Sequence, residues 1–239
     1  MILRVVDVET TGLERPDAAV CEIGWTDIET VTDDNLPYIK APQSLYVNPG
    51  HPIPPAMSGI HHIVDADVVG APSLADAVAE MMITPADILC AHFAKFEQKF
   101  LAIELPWICS YKVSIDVAPN APEHKLQTLR YWAKLDVDPT LAFPPHRSGP
   151  DTYVCACLIA RLLVKRTPEQ MIAISAAPIL LPKLHFGEHA SKPIAEVPLS
   201  YFSWIVNPPR PHKKPFDEDV LYTANHHLRS RKKENGQIS

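Results

Sequence analysis

Ile2-Leu-Arg-Val-Val-Asp7-Val-Glu9-Thr-Thr-Gly-Leu13 begins as an apolar run and ends in two carboxylates and a turn signal. Residues 2–8 read as a buried first strand, because a short run rich in Ile, Leu and Val, closed by turn residues, suits a strand covered on both faces. Side chains two apart on a strand share a face, so Asp7 and Glu9 can point to the same side of the sheet. Two carboxylates held that close repel each other unless they share a proton or a cation.

Outward from this strand, residues 20–28 and 44–47 read as two more, joined by turn-forming segments as in an antiparallel meander. Residues 54–60 suit a short helix, and Ser73-Leu-Ala-Asp76 resembles a capping box that opens a helix running to Met82. Then come a strand over 87–91, a helix over 95–103 with Phe96, Phe100 and Ile103 on one face, and a short strand over 107–110. Residues 126–135 have helical spacing, and Pro150 suits the first position of a helix running to Val164. Strands first, then strands alternating with helices, predict an α/β fold with a mixed sheet.

Thr167-Pro-Glu-Gln170 combines an N-cap, a proline at the first helical position and a glutamine at the third, so a new unit is expected to start there. The expected organisation is a main domain over 1–167, a small C-terminal unit over 168–206, and a basic, mobile tail over 207–239 entered through Asn207-Pro-Pro-Arg-Pro211. The small unit holds the aromatic cluster Tyr201, Phe202 and Trp204 and is too short to be stable without docking.

At 239 residues, 46% hydrophobic and 21% charged, the chain can bury a core, which excludes wholesale disorder. No apolar run approaches the ~18 residues of a membrane span, and Arg4 and Asp7 interrupt the N-terminal run, which excludes a secretory signal. A soluble, cytoplasmic protein with no membrane partner is expected. Cys21, Cys90, Cys109, Cys155 and Cys157 are odd in number and lack C-x-x-C spacing, so they read as reduced core thiols rather than a zinc ribbon. Twenty-two Lys and Arg against 28 Asp and Glu give a net charge of −6. Residues 207–239 hold seven basic and four acidic side chains, a net +3, which leaves −9 on residues 1–206. A body this acidic repels a polyanion unless bound divalent cations invert the local charge.

Two downstream segments supply further groups. Ala91-His-Phe-Ala-Lys-Phe-Glu97-Gln-Lys-Phe-Leu101 follows a strand and puts Glu97 in the first turns of a helix. His146-Arg-Ser-Gly-Pro-Asp151 puts an imidazole on a loop and a carboxylate at the start of another helix. In this order the three segments resemble the motifs of the DEDDh 3′–5′ exonucleases. Asp7-Val-Glu9-Thr-Thr-Gly-Leu13 is similar to the first motif, the second segment to A-H-N-A-x-F-D, and the third to H-x-A-x-x-D. The likeness is strongest to the exodeoxyribonuclease X branch, since it extends to Ile60-His61, Trp107-Ile-Cys109 with Lys112, Thr167-Pro-Glu-Gln-Met171, Phe186-Gly187 and the aromatic cluster at 201–204. It covers most of residues 1–206. Two positions depart from the family pattern: Glu97 stands where the family has aspartate, and Phe93 where it usually has asparagine. Glutamate reaches one methylene further and Mg²⁺ tolerates misplacement poorly, so metal affinity and rate are expected to differ while the reaction class stays.

The resemblance implies a ribonuclease H-like mixed sheet flanked by helices, with a small C-terminal appendage. It also implies a metal-dependent 3′–5′ exonuclease that releases nucleoside 5′-monophosphates from single-stranded or frayed DNA 3′ ends. Two divalent ions, Mg²⁺ or Mn²⁺, would be bound by Asp7, Glu9, Glu97 and Asp151. In the mechanism the family implies, Asp7 bridges the ions, Glu9 and Asp151 hold the nucleophile-side one, and Glu97 acts mainly through water. His146 is the implied general base, a role for which imidazole is suited near neutral pH. Thr10 and Thr11 would meet the terminal 3′ hydroxyl, Leu13 would wedge between the last two bases, and His61 would lie on the substrate side. RNA remains an alternative substrate, because nothing in the sequence excludes a 2′ hydroxyl. A weakly active nucleic-acid-binding or proofreading partner is the alternative from another class. The sequence identifies no protein partner.

Overall fold

A computed structural model of the chain describes residues 1–30, 37–190, 192–208 and 216–236. Its sheet starts with β1 (Ile2–Thr10), β2 (Val20–Glu29), β3 (Tyr38–Ile39) and β4 (Gln43–Tyr46). Next come α1 (Pro55–His61), α2 (Leu74–Met81), β5 (Ile88–Ala91), α3 (Lys95–Phe100) and β6 (Trp107–Cys109). Then follow α4 (Ser110–Val117), α5 (Leu126–Trp132), α6 (Ser148–Leu163) and α7 (Pro168–Ala176). The strand order is β3-β2-β1-β5-β6, with β4 also paired to β2. β1 and β2 are antiparallel, whereas β1, β5 and β6 run parallel, so the sheet is mixed as expected.

The period of two along β1 and β2 decides what α6 can meet. Leu3 and Val5 face α6 and belong to a core cluster with Ile28, Cys90, Ile108, Leu129, Ala156 and Ile159. Asp7 and Glu9 continue the same row, which turns from apolar to acidic towards the end of the strand. On β2 the matching row is Ile28, Thr26, Gly24 and Glu22, opposite Leu3, Val5, Asp7 and Glu9. The Thr26 and Thr152 hydroxyls hydrogen-bond at 2.9 Å, which ties α6 to the row. The other face carries Arg4, 1% exposed, whose guanidinium grips both carboxylate oxygens of Asp27 at 2.7 and 2.9 Å.

Gly24 is where the helix comes closest. A Cβ built there lies 2.5 Å from the Ser148 carbonyl carbon and 2.7 Å from the Gly149 nitrogen. These are backbone atoms that no rotamer change can move. Gly24→Ala is therefore expected to destabilise the fold by about 1–3 kcal/mol, read as a lower urea midpoint at unchanged m-value.

The N-cap at Ser73 and the capping box at Thr167 are present. Ser73 Oγ accepts from the Asp76 amide, and Thr167 and Gln170 exchange side-chain-to-backbone bonds of 3.0 and 3.3 Å. α6 begins at Ser148, two residues before the expected Pro150, which still sits in the first turn where a missing N–H costs nothing. All five cysteines are buried and unpaired. Among the described residues, no helix is long and apolar enough to cross a membrane.

The chain separates into two compact units, 1–175 and 176–239, rather than at 167. The reason is Met171 of α7, fully buried in the core of the first unit with Ile172 and Ile174 packed against it. In the second unit, α8 (Leu199–Val206) packs on α9 (Glu218–Gly236), a helix in the stretch read from sequence as a mobile tail. α9 buries Val220, Thr223 and Ala224 and caps an extended segment, with Asp219 Oδ1 accepting from the Ile179 amide and Thr223 Oγ1 from the Leu181 amide. Phe202 is fully buried and stacks on His227 at 5.2 Å, so α9 supplies its packing partner. Arg210, Lys213 and Lys214 of the expected tail lie outside the described residues.

Candidate active site

Three elements converge on one cleft of about 460 Å³: the end of β1 with Asp7 and Glu9, α3 with Glu97, and the first turn of α6 with Asp151. One oxygen from each of Asp7, Glu9 and Asp151 lies within 4.8 Å of the others. Glu97 sits in the same cleft, 3% exposed, and its Oε2 has no hydrogen-bond partner among the described residues.

The electrostatics of this arrangement are unfavourable for the bare protein. Burial, then repulsion from Glu9, Glu97 and Asp151, raises the Asp7 carboxyl well above its usual range. Burial, with Asp151 and Glu22 adding, pushes Glu9 to about 8 against the pull of Arg147. Glu97 also rises to about 8, through burial above all. Asp151 is raised by burial, but hydrogen bonds from the His146 amide at 2.8 Å and Gln127 Nε2 at 2.9 Å oppose the rise. Carboxylates packed in this way fit a hard divalent cation, which takes oxygen ligands and removes the mutual repulsion. The orphaned oxygen of Glu97 points to the same occupant, since a buried acceptor without a partner is costly.

His146 is exposed on the loop before α6 and lines the cleft. Its φ of 60° is in the left-handed region, sparsely used by residues with a Cβ. The bond from its amide to Asp151 links the position of the imidazole to that of the carboxylate.

The residues following β1 form a tight turn. Thr10 Oγ1 donates to the Gly12 carbonyl at 2.6 Å, and Thr11 exchanges bonds with Ala19 through its amide and its hydroxyl. Both threonines are buried, while Leu13 projects 67% exposed. His61 departs from the expected substrate-side position: it is fully buried on α1, with Nδ1 accepting from the Ile63 amide at 3.1 Å and Nε2 3.8 Å from Cys21 Sγ. Burial lowers its pKa and favours the neutral ring. No part of it reaches solvent in this structure.

Three residues near the site were missed in the sequence reading. Glu22 on β2 lies opposite Glu9 and is 1% exposed. It accepts from the Ser148 amide at 2.9 Å, satisfying an orphan donor of the first turn of α6, and from Arg147 at 2.6 and 3.1 Å. Gln127 holds Asp151 from α5. A charged residue between Cys21 and Ile23 in an apolar strand was a signal for Glu22; Gln127 and Arg147 carried none.

The sequence pattern of the family described as Exonuclease (RNase_T) matches residues 5–159. DNA polymerase III subunit epsilon of Treponema pallidum (strain Nichols) is 30% identical over 171 residues, 66% of this chain and 74% of that protein. A solved structure of Exonuclease X in complex with 5′ overhanging duplex DNA is 28% identical, with a TM-score of 0.62 over 73% of this chain and 99% of its own. The nuclease domain of 3′hExo, a DEDDh family member bound to rAMP, shares the fold at 18% identity and a TM-score of 0.53, over 68% of this chain and 92% of its own. The mixed sheet flanked by helices, the acidic cleft at the end of β1 and a family match over most of the first unit agree, and the chain belongs to the exonuclease family of nuclease hydrolases.

Proposed function

We propose that the chain is a metal-dependent 3′–5′ exonuclease that releases nucleoside 5′-monophosphates from single-stranded or frayed 3′ ends of DNA. The observation that carries this reading is the convergence of Asp7, Glu9, Glu97 and Asp151 in one open cleft, three of them close enough to share an ion. The DNA complex of Exonuclease X, at 28% identity, supports DNA as the polymer.

Asp7, Glu9 and Asp151, with Glu97 beside them, would hold two divalent cations, Mg²⁺ or Mn²⁺. Bound there, such ions supply an acidified water and neutralise charge on the leaving oxygen. An imidazole nitrogen of His146 takes the proton of the attacking water, and the hydrogen bond that the His146 amide donates to the Asp151 carboxylate keeps base and carboxylate in register. Glu22 and Arg147 fix the start of α6, and Gln127 orients Asp151. The backbone around Thr10 and Thr11 meets the terminal 3′ hydroxyl. Exposed Leu13 wedges between the last two bases, so the chain end rather than an internal bond is presented to the carboxylates.

The same chemistry would cleave RNA, so the test uses matched DNA and RNA oligonucleotides with a labelled 3′-terminal nucleotide. Chromatography is expected to identify the first product as a nucleoside 5′-monophosphate, released faster from DNA. A 3′-monophosphate product, or faster release from RNA, overturns the corresponding part of the reading. Glu97→Asp, which restores the resembling pattern, is expected to lower the Mg²⁺ concentration for half-maximal rate by up to about tenfold. A large loss of rate instead would mean that the backbone of α3 is set for glutamate.

A further inference from the structure

Phe93 lies in the turn between β5 and α3 and lines the cleft that holds the four carboxylates. Its φ is 70°, a left-handed conformation that a bulky residue adopts only when its surroundings hold it there. The holding groups are visible. His92 Nε2 lies 2.8 Å from the His124 carbonyl, which can only accept, so Nε2 carries the proton and Nδ1 accepts from Ser110 Oγ at 2.8 Å. The His92 ring meets Phe93 edge-on at 5.2 Å. Tyr111 of α4, 5% exposed, stacks on Phe93 with centroids 4.0 Å apart and planes 24° from parallel. The His92 and Tyr111 rings thus fix the orientation of the Phe93 ring.

A phenyl ring fixed in this way and packed for stability alone would be covered, yet Phe93 is 43% exposed, beside groups that attract cations and, through them, phosphates. A flat apolar surface next to a phosphate-binding centre suits a nucleobase, because every base has a π-face and stacking tolerates any sequence. Pre-orientation by Tyr111 and His92 reduces the ordering cost of that contact. We propose that Phe93 is a stacking platform for one of the two bases that flank the scissile phosphate, a positioning residue that contributes binding where the resembling motif places an amide. The proposal rests on the exonuclease reading.

The test uses Phe93→Ala, Phe93→Asn and Phe93→Tyr in the full chain, with three short 5′-fluorescein DNA single strands. One is unmodified, one is abasic at the 3′-terminal nucleotide and one is abasic at the penultimate nucleotide. Asparagine tolerates the left-handed region, so Phe93→Asn removes the ring without adding backbone strain. On the unmodified strand, Phe93→Ala and Phe93→Asn are expected to weaken binding, measured by anisotropy with Ca²⁺, a hard cation that takes the same oxygen ligands, in place of Mg²⁺, and to raise KM in Mg²⁺, each on the order of tenfold with kcat much less affected. On one of the abasic strands that penalty is expected to vanish, and Phe93→Tyr is expected to behave as wild type. An equal penalty on all three strands, or a tyrosine variant as impaired as alanine, overturns the platform. If wild type fails to digest the unmodified strand in Mg²⁺, the exonuclease reading falls, and the anisotropy comparison still decides whether Phe93 senses a base.

Discussion

Asp7→Asn is expected to lower the rate of phosphodiester hydrolysis by at least ~10³-fold and, at the same time, to raise the melting temperature of the metal-free protein. Both effects have one cause. Asp7 is the carboxylate that meets the other three, and burial with their repulsion holds its pKa far above the usual range. Asparagine keeps the shape and removes the proton that the bare fold must retain at neutral pH, so the apo protein gains what the metal site loses. Asp151→Asn is expected to show the same loss of rate with a smaller gain in stability, because hydrogen bonds from His146 and Gln127 already favour its charged form. Near-normal turnover with unchanged metal dependence in either variant means that the carboxylates do not bind the catalytic ions.

The second large effect is a stability that falls as pH rises, in the metal-free protein only. Glu9 and Glu97 have folded pKa values of about 8, against an ordinary value of about 4.5. Between these limits the folded state keeps protons that the unfolded chain has released. Each such proton costs up to about 1.4 kcal/mol per pH unit, and the loss is complete above the folded pKa. Buried His61 and His92 act in the opposite direction, since their lowered pKa values make stability rise with pH, but that gain ends near the ordinary imidazole value of about 6.5. Between pH 6.5 and 8 the carboxylates are left to dominate. Melting temperatures in EDTA are expected to fall across this window, Mn²⁺ or Mg²⁺ to abolish the fall, and Asp7→Asn to reduce it. A metal-free melting temperature that stays level or rises over the same range means that the cluster is ionised without a counter-ion and that its strain has been overstated.

The groups legible in the sequence are those that sit in short local motifs, and the resemblance of those motifs to the DEDDh pattern, not their spacing, supplied the expected roles. Asp7 and Glu9 sit two apart on a strand, Glu97 opens a helix after a strand, and Asp151 follows His146 by five, so each could be read before any tertiary contact was known. What escaped depends on contacts made only by folding. Glu22 gains its partners from α6, more than a hundred residues away in sequence, and Gln127 meets Asp151 across two helices. Gly24 carries no signal within the strand expected over 20–28, and its role follows only from the backbone of Ser148 against it. α4 escaped because residues 110–115 are all buried, Lys112 included, which erases the polar face that helical periodicity needs. β3 is two residues long, too short for any pattern. α9 was hidden for a different reason: its buried stripe includes Asp219 and Thr223, polar residues that serve as caps for the chain at 179–181. His61 was recognised, but as a substrate-side group, because resemblance locates a residue in the chain and says nothing of its burial.

The proposed function requires that the four carboxylates bind divalent cations and that the protein then hydrolyses a nucleic acid from its 3′ end. The most direct measurement is a time course of a 5′-labelled DNA single strand digested by the full chain in Mg²⁺, in Mn²⁺ and in EDTA, resolved on a denaturing gel. A ladder that shortens one nucleotide at a time from the 3′ end is expected with either metal, and an intact strand in EDTA. Internal cuts at early times, shortening that persists in EDTA, or an intact strand with both metals would contradict the proposed function.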